Sequence, residues 1–394
     1  MIDDYLSLVK LGLYPSRKEW FSKYGKHGKD VEELLEYKKR HLTSIPLKTK
    51  EGSLYYNAGY VSEILKEYYS TQALGVESTA LFTQSFEEIL IFSEVEGTLE
   101  IEGIKTSRKK IDDILKKTTD LDPDEQVVFN MKKGIDYITA HDITEQHLYE
   151  LYQILTERCL NEDQKPEGLY RQDDVDIIGK YGQVSDRGIE ASLLPQWMPD
   201  FIAFIQNQMN ALNPLTYVMP HLIHYYMILL HPYYDFNGRM GRMLAYWYIL
   251  KCPQLQDKMP VFSEAINYNL KTKAMYYRAI ENARKEDNDL TYFIEMMFVL
   301  GKRYVAVYLK LDELAAQARK QGQALTQNEL NLLKSILLYS KAHDQFTWED
   351  VSLIDKQQYS KQYYFRLLNA LTEKGLLQRV LKNKTHLFQL LGAE

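Results

Sequence analysis

The sequence predicts a mainly α protein of two or three domains, and three observations point there. The chain has 394 residues, roughly two or three domains' worth at the usual domain size. Only 19 glycines and 11 prolines punctuate it, so long helices go uninterrupted. Its apolar residues recur with helical rather than strand period over most of the length. Composition is that of a globular chain, 45% apolar and 26% charged, which excludes disorder across most of it.

In chain order, Asp30 to His41 reads as a charged helix, while the first 70 residues otherwise carry no motif. Residues 71–97, with Leu74, Leu81, Phe82, Phe86, Ile89, Leu90 and Phe92, read as a long amphipathic helix. Asp124 to Ile138 and Thr144 to Leu155 read as two more. Asn161 to Pro195 breaks the pattern with Pro166, Gly168, Gly179, Gly182 and Gly188. Its β-branched run Val175–Ile178 predicts a small hairpin closed near residues 179–182. Helices resume from Pro195 to about Leu300, interrupted around Asp235 to Gly238. Tyr304 to Arg319 reads as a connecting helix ended by Gln321-Gly322-Gln323. The tail then reads as helices over Glu329–Tyr339 and Thr347–Leu353, a third N-capped by Ser360 and stopped by Gly375, and strands over Leu376–Val380 and Thr385–Leu390. Three helices and a hairpin in that order are a winged-helix pattern. The domain division expected is 1–115, 116–300, a linker helix over 301–322, and 323–394.

Several functions are excluded or disfavoured. Cys159 and Cys252 are far apart and in no Cys-x-x-Cys or Cys/His cluster, which argues against a disulfide scaffold and a cysteine zinc site. No apolar run is long enough to span a bilayer, and Met1-Ile2-Asp3-Asp4 opens no secretory signal, so a cytoplasmic protein without membrane association is expected. A net charge of −6 disfavours a whole-chain nucleic-acid binder. The 31 tyrosines supply apolar rings with hydrogen-bonding tips, suited to groove edges and interfaces.

Chemistry concentrates in His231-Pro232-Tyr233-Tyr234-Asp235-Phe236-Asn237-Gly238-Arg239-Met240-Gly241-Arg242. An apolar helix from Met219 to Leu230 must end at His231, because Pro232 denies it continuation. After the Asp235–Gly238 turn a new helix starts, and its first amides lack intrahelical partners and attract anions. Arg239 and Arg242, three apart, share one face there and repel each other unless an anion intervenes. Phosphate suits their forked donors, Asp235 can hold Mg²⁺ against phosphate oxygens, and His231 can accept a hydroxyl proton near neutral pH.

This loop resembles the signature of the Fic family of adenylyltransferases, His-Pro-Phe-x-Asp/Glu-Gly-Asn-Gly-Arg-x-x-Arg, and meets seven of its nine constrained positions. Tyr233 replaces a phenylalanine; Phe236 replaces a glycine, a substitution that costs something if the position needs positive φ. The resemblance, firmest over residues 70–300, implies a Fic helical core with a hairpin flap. It implies that His231 deprotonates a target hydroxyl and that Asp235 binds Mg²⁺. Asn237, Gly238 and Gly241 with Arg239 and Arg242 would hold the phosphates of ATP. Tyr276 and Tyr277 fall where the family lines its adenine pocket. The hairpin region, about 168–185, resembles the flap that pairs with an extended target segment.

Thr98-Leu99-Glu100-Ile101-Glu102-Gly103 resembles the family's inhibitory motif, Ser/Thr-x-x-x-Glu-Gly/Asn. Thr98 and Glu102 lie one helical turn apart and Gly103 can end the helix. A Glu102 carboxylate on Arg242 would take the place of the γ-phosphate. The expectation is a self-inhibited transferase moving AMP from ATP to a serine, threonine or tyrosine hydroxyl. Removal of AMP at the same site is an alternative. Another is a DNA-binding regulator with a nucleotide-sensing core. Lys361, Gln362, Arg366 and Asn369 lie outward on the third tail helix, yet residues 323–394 carry nine basic and seven acidic residues, a net of only +2. A DNA or protein partner for this tail and a homodimer are both left open.

Overall fold

The structure is a computed structural model. It describes residues 14–24, 28–73, 84–104, 106, 108–117, 121–178, 184–211, 213–255, 262–267, 270–340, 345–355, 359–382 and 385–391. The N-terminal part contains α1 (Arg17–Tyr24), α2 (Gly28–His41), a hairpin of β1 (Thr43–Thr49) and β2 (Gly52–Tyr56), then α3 (Ala58–Ala73), α4 (Gln84–Ile101) and α5 (Arg108–Leu115). The central part contains α6 (Pro123–Ala140), α7 (Glu145–Thr156), a hairpin of β3 (Asp176–Ile178) and β4 (Val184–Arg187), α8 (Leu194–Met209), α9 (Met219–Leu230), α10 (Asn237–Lys251), α11 (Phe262–Ile266) and α12 (Leu270–Lys285). α13 (Thr291–Lys320) leads to α14 (Gln327–Ser340), α15 (Trp348–Ser352), α16 (Lys361–Glu373) and the hairpin of β5 (Leu377–Lys382) and β6 (Thr385–Leu390).

The protein is mainly α, and each of its sheets among the described residues is an antiparallel pair. Local chemistry sets many boundaries. Asp122 and Glu125 form a capping box at the start of α6, with Pro123 in its first turn. Thr144 caps α7, Thr347 caps α15 and Ser360 caps α16. Gly375, at φ 66°, turns the chain from α16 into β5 as a left-handed stop.

Two features differ from expectation. The helix expected over 71–97 is helical at each of its described residues, in Ala58–Ala73 and in Gln84–Ile101, while residues 74–83 lie outside the described set. Thr291–Lys320 is one continuous helix, so the expected boundary between 300 and 301 falls inside it. The hairpin at 43–56 was not expected: Ile45, Leu47 and Thr49 alternate inward with exposed neighbours, and Gly52 takes φ 134° at its turn. The turn at 179–183 and the wing tip at 383–384 lie outside the described residues.

The core is centred on α9, nearly all of it buried, with α10 folded back against it. Gly241 permits that approach, since a Cβ there would stand 3.2 Å from the His224 carbonyl oxygen. Phe201, Tyr226, Phe293, Trp247 and Tyr248 close the surrounding layers. Among the described residues no helix is long and apolar enough to cross a membrane.

Candidate active site

The site lies at the turn between α9 and α10. Pro232 ends α9, and His231 takes the left-handed conformation at φ 52°, its amide still donating to the Met227 carbonyl. His231 is half-buried, and its Nδ1 lies 3.3 Å from the Ile228 carbonyl oxygen. Donation there leaves Nε2 as the basic nitrogen.

The turn is pinned from within. The buried Asn237 side chain accepts from the Tyr233 amide at 3.0 Å and donates to the Tyr233 carbonyl at 2.8 Å. The structure therefore shows Asn237 closing the loop, while Gly241 faces α9. Tyr233 stacks on Tyr152 with centroids 3.9 Å apart beneath the loop. Asp235 is exposed and its Oδ1 accepts from the Phe236 amide.

Phe236 takes φ 68° immediately before α10. A left-handed residue with a Cβ costs about 1–2 kcal/mol. The ring offsets this: it is 4% exposed, and the Arg239 guanidinium carbon lies 3.3 Å from its centroid. Burial of such a ring contributes about 2 kcal/mol, and a desolvated cation–π contact about as much again. The Arg239 Nε is buried without a hydrogen-bond partner among the described residues. Burial pulls the Arg239 pKa down, against the pull of Glu102 and Asp235.

Arg242 is 4% exposed and fully engaged. Its guanidinium forms an ion pair with Glu102, which sits in the turn just beyond α4. Its Nε donates to Thr98 Oγ1 at 3.2 Å. The Glu102 side chain keeps a third of its surface exposed, 34%. Burial opposes its ionisation, but Arg242, with Arg239 and Lys273 behind it, prevails and holds its pKa below the usual value. Gly103, at φ 92°, reverses the chain as Ile104 donates back to Leu99. Gly238 leaves room for the carboxylate, since a Cβ there would come within 3.1 Å of Glu102 Oε1.

A buried shell orients α4. Gly97 lets it touch α11 backbone to backbone; a Cβ would lie 2.4 Å from the Glu264 amide nitrogen. Thr98 Oγ1 lies 3.0 Å from Ser263 Oγ, which donates to Glu94. Burial raises the Glu94 pKa, partly countered by Ser263. Lys273 donates to the carbonyls of Glu100 and Ile101 and caps the end of α4. From the tail, Lys334 lies 2.9 Å from both Ser93 Oγ and Glu264 Oε1.

Tyr276 is buried, with its hydroxyl 3.1 Å from His224 Nε2, whereas Tyr277 is 47% exposed. Burial, Arg242 and His221 together drive the His224 pKa well below its ordinary value, and burial pushes His221 down to about 3. Neither histidine carries charge at neutral pH.

Arg171 escaped the sequence reading, where it was one letter of the hairpin region. It is 2% exposed, and its guanidinium donates to the carbonyls of His231 at 2.7 Å, Asp173 at 2.6 Å and Ile189. Its amide donates to Pro232 at 2.9 Å. It thus ties the base of the β3–β4 hairpin to the backbone of His231. Gly188 makes room, since a Cβ there would lie 2.7 Å from the guanidinium. Ser263 and Lys273 were missed likewise, having no signal but distance-spanning contacts.

Among the described residues no group of three or more His, Cys, Asp or Glu side chains is arranged to hold a metal. Asp235 offers one carboxylate beside the arginines, which suits an ion arriving on phosphate oxygens.

Residues 137–249 match the Fic/DOC family. No curated protein sequence matches the chain. Among solved structures, it resembles a Fic family protein from Desulfovibrio desulfuricans G20, with a TM-score of 0.54 and 19% identity over 85% of this chain and 96% of that one. It also resembles Fic-1 (residues 134–508) from C. elegans, with a TM-score of 0.50 and 13% identity over 79% of this chain and 84% of that one. At these identities the likeness is one of fold.

Proposed function

Taking as premise that residues 137–249 are a Fic/DOC family domain, whose members commonly transfer AMP or other nucleotide groups onto proteins, we propose that this chain transfers AMP from ATP to a target-protein hydroxyl and that Glu102 restrains it. One observation carries the reading. Arg242, buried in the domain, is paired with a carboxylate from outside the matched residues, 140 positions earlier in the chain. A buried arginine aimed at a helix-start loop is a phosphate ligand in waiting, and a carboxylate on it competes with phosphate.

The step balances as follows. A serine, threonine or tyrosine oxygen of the target attacks the α-phosphorus of ATP and forms a new O–P bond. The bond from the α-phosphorus to the bridging oxygen breaks, pyrophosphate leaves, and the hydroxyl proton passes to His231. Arg239, Arg242 and the first amides of α10 stabilise charge on the β- and γ-phosphates. Mg²⁺ bound with the nucleotide would neutralise phosphate charge, with Asp235 as its protein ligand. Tyr276 and Tyr277 are assigned to the adenine side. An extended target segment pairs with the β3–β4 hairpin by β-augmentation.

The test is mass spectrometry of a lysate incubated with ATP/Mg²⁺ and the Glu102→Gly variant of the whole 394-residue chain. Added AMP on Ser, Thr or Tyr is expected, and none with Glu102→Gly/His231→Ala. No gain of the single variant over wild type would overturn the restraint; no AMP from either would overturn the transfer.

A further inference from the structure

The Phe236 ring and the Arg239 guanidinium form a unit that the loop signature does not contain. A phenylalanine occupies a positive-φ position where glycine carries no steric penalty, so the side chain is retained against the backbone's preference. Its ring is buried, and one face is covered by the guanidinium at 3.3 Å. The stack fixes the plane of that guanidinium. In-plane N–H groups are how an arginine binds phosphate, and stacking leaves them available while removing rotational freedom. The Arg239 Nε is a buried donor with no acceptor among the described residues. Such a donor costs free energy until an anion meets it. Neighbouring Arg242 differs, being occupied by Glu102 and Thr98.

We infer that Phe236 is a positioning residue: its ring orients Arg239 edge-on to receive the terminal phosphates of a polyphosphate, so that Arg239 remains anion-ready while Arg242 is held by Glu102. This deepens the transfer reading and rests on it only for the identity of the anion. It predicts that the ring face, rather than bulk alone, sets polyphosphate affinity.

The experiment is calorimetric titration of the 394-residue Glu102→Gly chain with inorganic pyrophosphate and with ATP/Mg²⁺. It compares Phe236→Leu, Phe236→Gly and Phe236→Trp, each checked for folding by circular dichroism. Phe236→Leu keeps apolar bulk without a π face and should weaken pyrophosphate binding roughly tenfold. Phe236→Gly should do the same although it relieves the backbone, whereas Phe236→Trp should bind within about twofold of the parent. In an Arg239→Lys background the Phe236→Leu loss should largely vanish, a coupling that a merely structural role would not produce. Unchanged affinity in Phe236→Leu, tighter binding in Phe236→Gly, or no pyrophosphate binding by the parent would overturn the assignment. The readouts separate the two readings. A ring-dependent loss of pyrophosphate affinity without AMP transfer would retire the transfer reading alone. AMP transfer with affinity indifferent to position 236 would retire the positioning role alone.

Discussion

Two of the buried charge clusters among the described residues are built differently. Near the N-terminus, Lys38 is 4% exposed, with its ammonium 2.8 Å from the Pro15 carbonyl oxygen and 3.6 Å from a Glu286 carboxylate oxygen. The same group donates to the Tyr292 hydroxyl and stands 4.8 Å from the ring centroids of Tyr14 and Tyr292. Tyr14 in turn donates to Asp289 at 2.7 Å, and both acids of this cluster are buried. In the candidate site Arg242 is equally buried, yet its carboxylate partner is a third exposed and the Arg239 Nε has no acceptor among the described residues. A closed cluster contributes to stability only as a whole, because removing one member strands another charge. An open one can exchange its carboxylate for another anion. The first ties residues near Tyr14 and Lys38 to the 286–295 region; the second leaves its carboxylate a third exposed.

The sharpest way to break the contrast is at His231, the proposed base. His231→Ala in the Glu102→Gly protein should lower AMP transfer by about 10²–10⁴-fold, measured with labelled ATP, while thermal stability stays near that of the parent. Lys38→Met should do the opposite. Taking the ammonium from the buried Glu286, which then keeps Arg17 as its basic neighbour among the described residues, should cost about 3 kcal/mol, read by thermal unfolding and faster proteolysis of the N-terminal segment, with no change in transfer per folded molecule. A smaller effect is expected at Thr98→Val, which removes the partner of the Arg242 Nε. With about 1 kcal/mol less restraint, basal transfer should rise roughly fivefold, well short of the Glu102→Gly gain.

A further expected effect concerns pH. Burial raises the Glu295 pKa from 4.5 to about 7, against the hydrogen bond from Tyr60. The folded state therefore holds a proton that the unfolded chain has released. The stability this provides is complete below pH 4.5 and is lost as pH rises to about 7. Glu295→Gln should flatten the fall in melting temperature across that window; an unaltered slope would assign it to other groups.

The contrast also explains what was legible in the sequence. The 231–242 loop is contiguous, so residue type and spacing announce its chemistry, and Pro232 and Gly238 mark its turns. Glu102 was legible because Thr98 and Gly103 place it at a helix end. Lys38 and Arg171 were not, because their meaning lies in partners far along the chain: Glu286 for the first, Ile189 and His231 for the second. The 43–56 hairpin was hidden for another reason. Its strands are short, and Pro46 stands inside the first of them, so the alternation resembles loop as much as strand. At Phe236 the sequence showed a departure but not its compensation, which requires seeing the Arg239 guanidinium on the ring.

The central claim is that Glu102 and a terminal phosphate compete for Arg242, and calorimetry of ATP and AMP binding to wild type and Glu102→Gly tests it directly. The variant should bind ATP at least tenfold more tightly and AMP about equally, because AMP lacks the terminal phosphates that the proposal sets on Arg242. Equal gains for both nucleotides, or no gain for ATP, would contradict it.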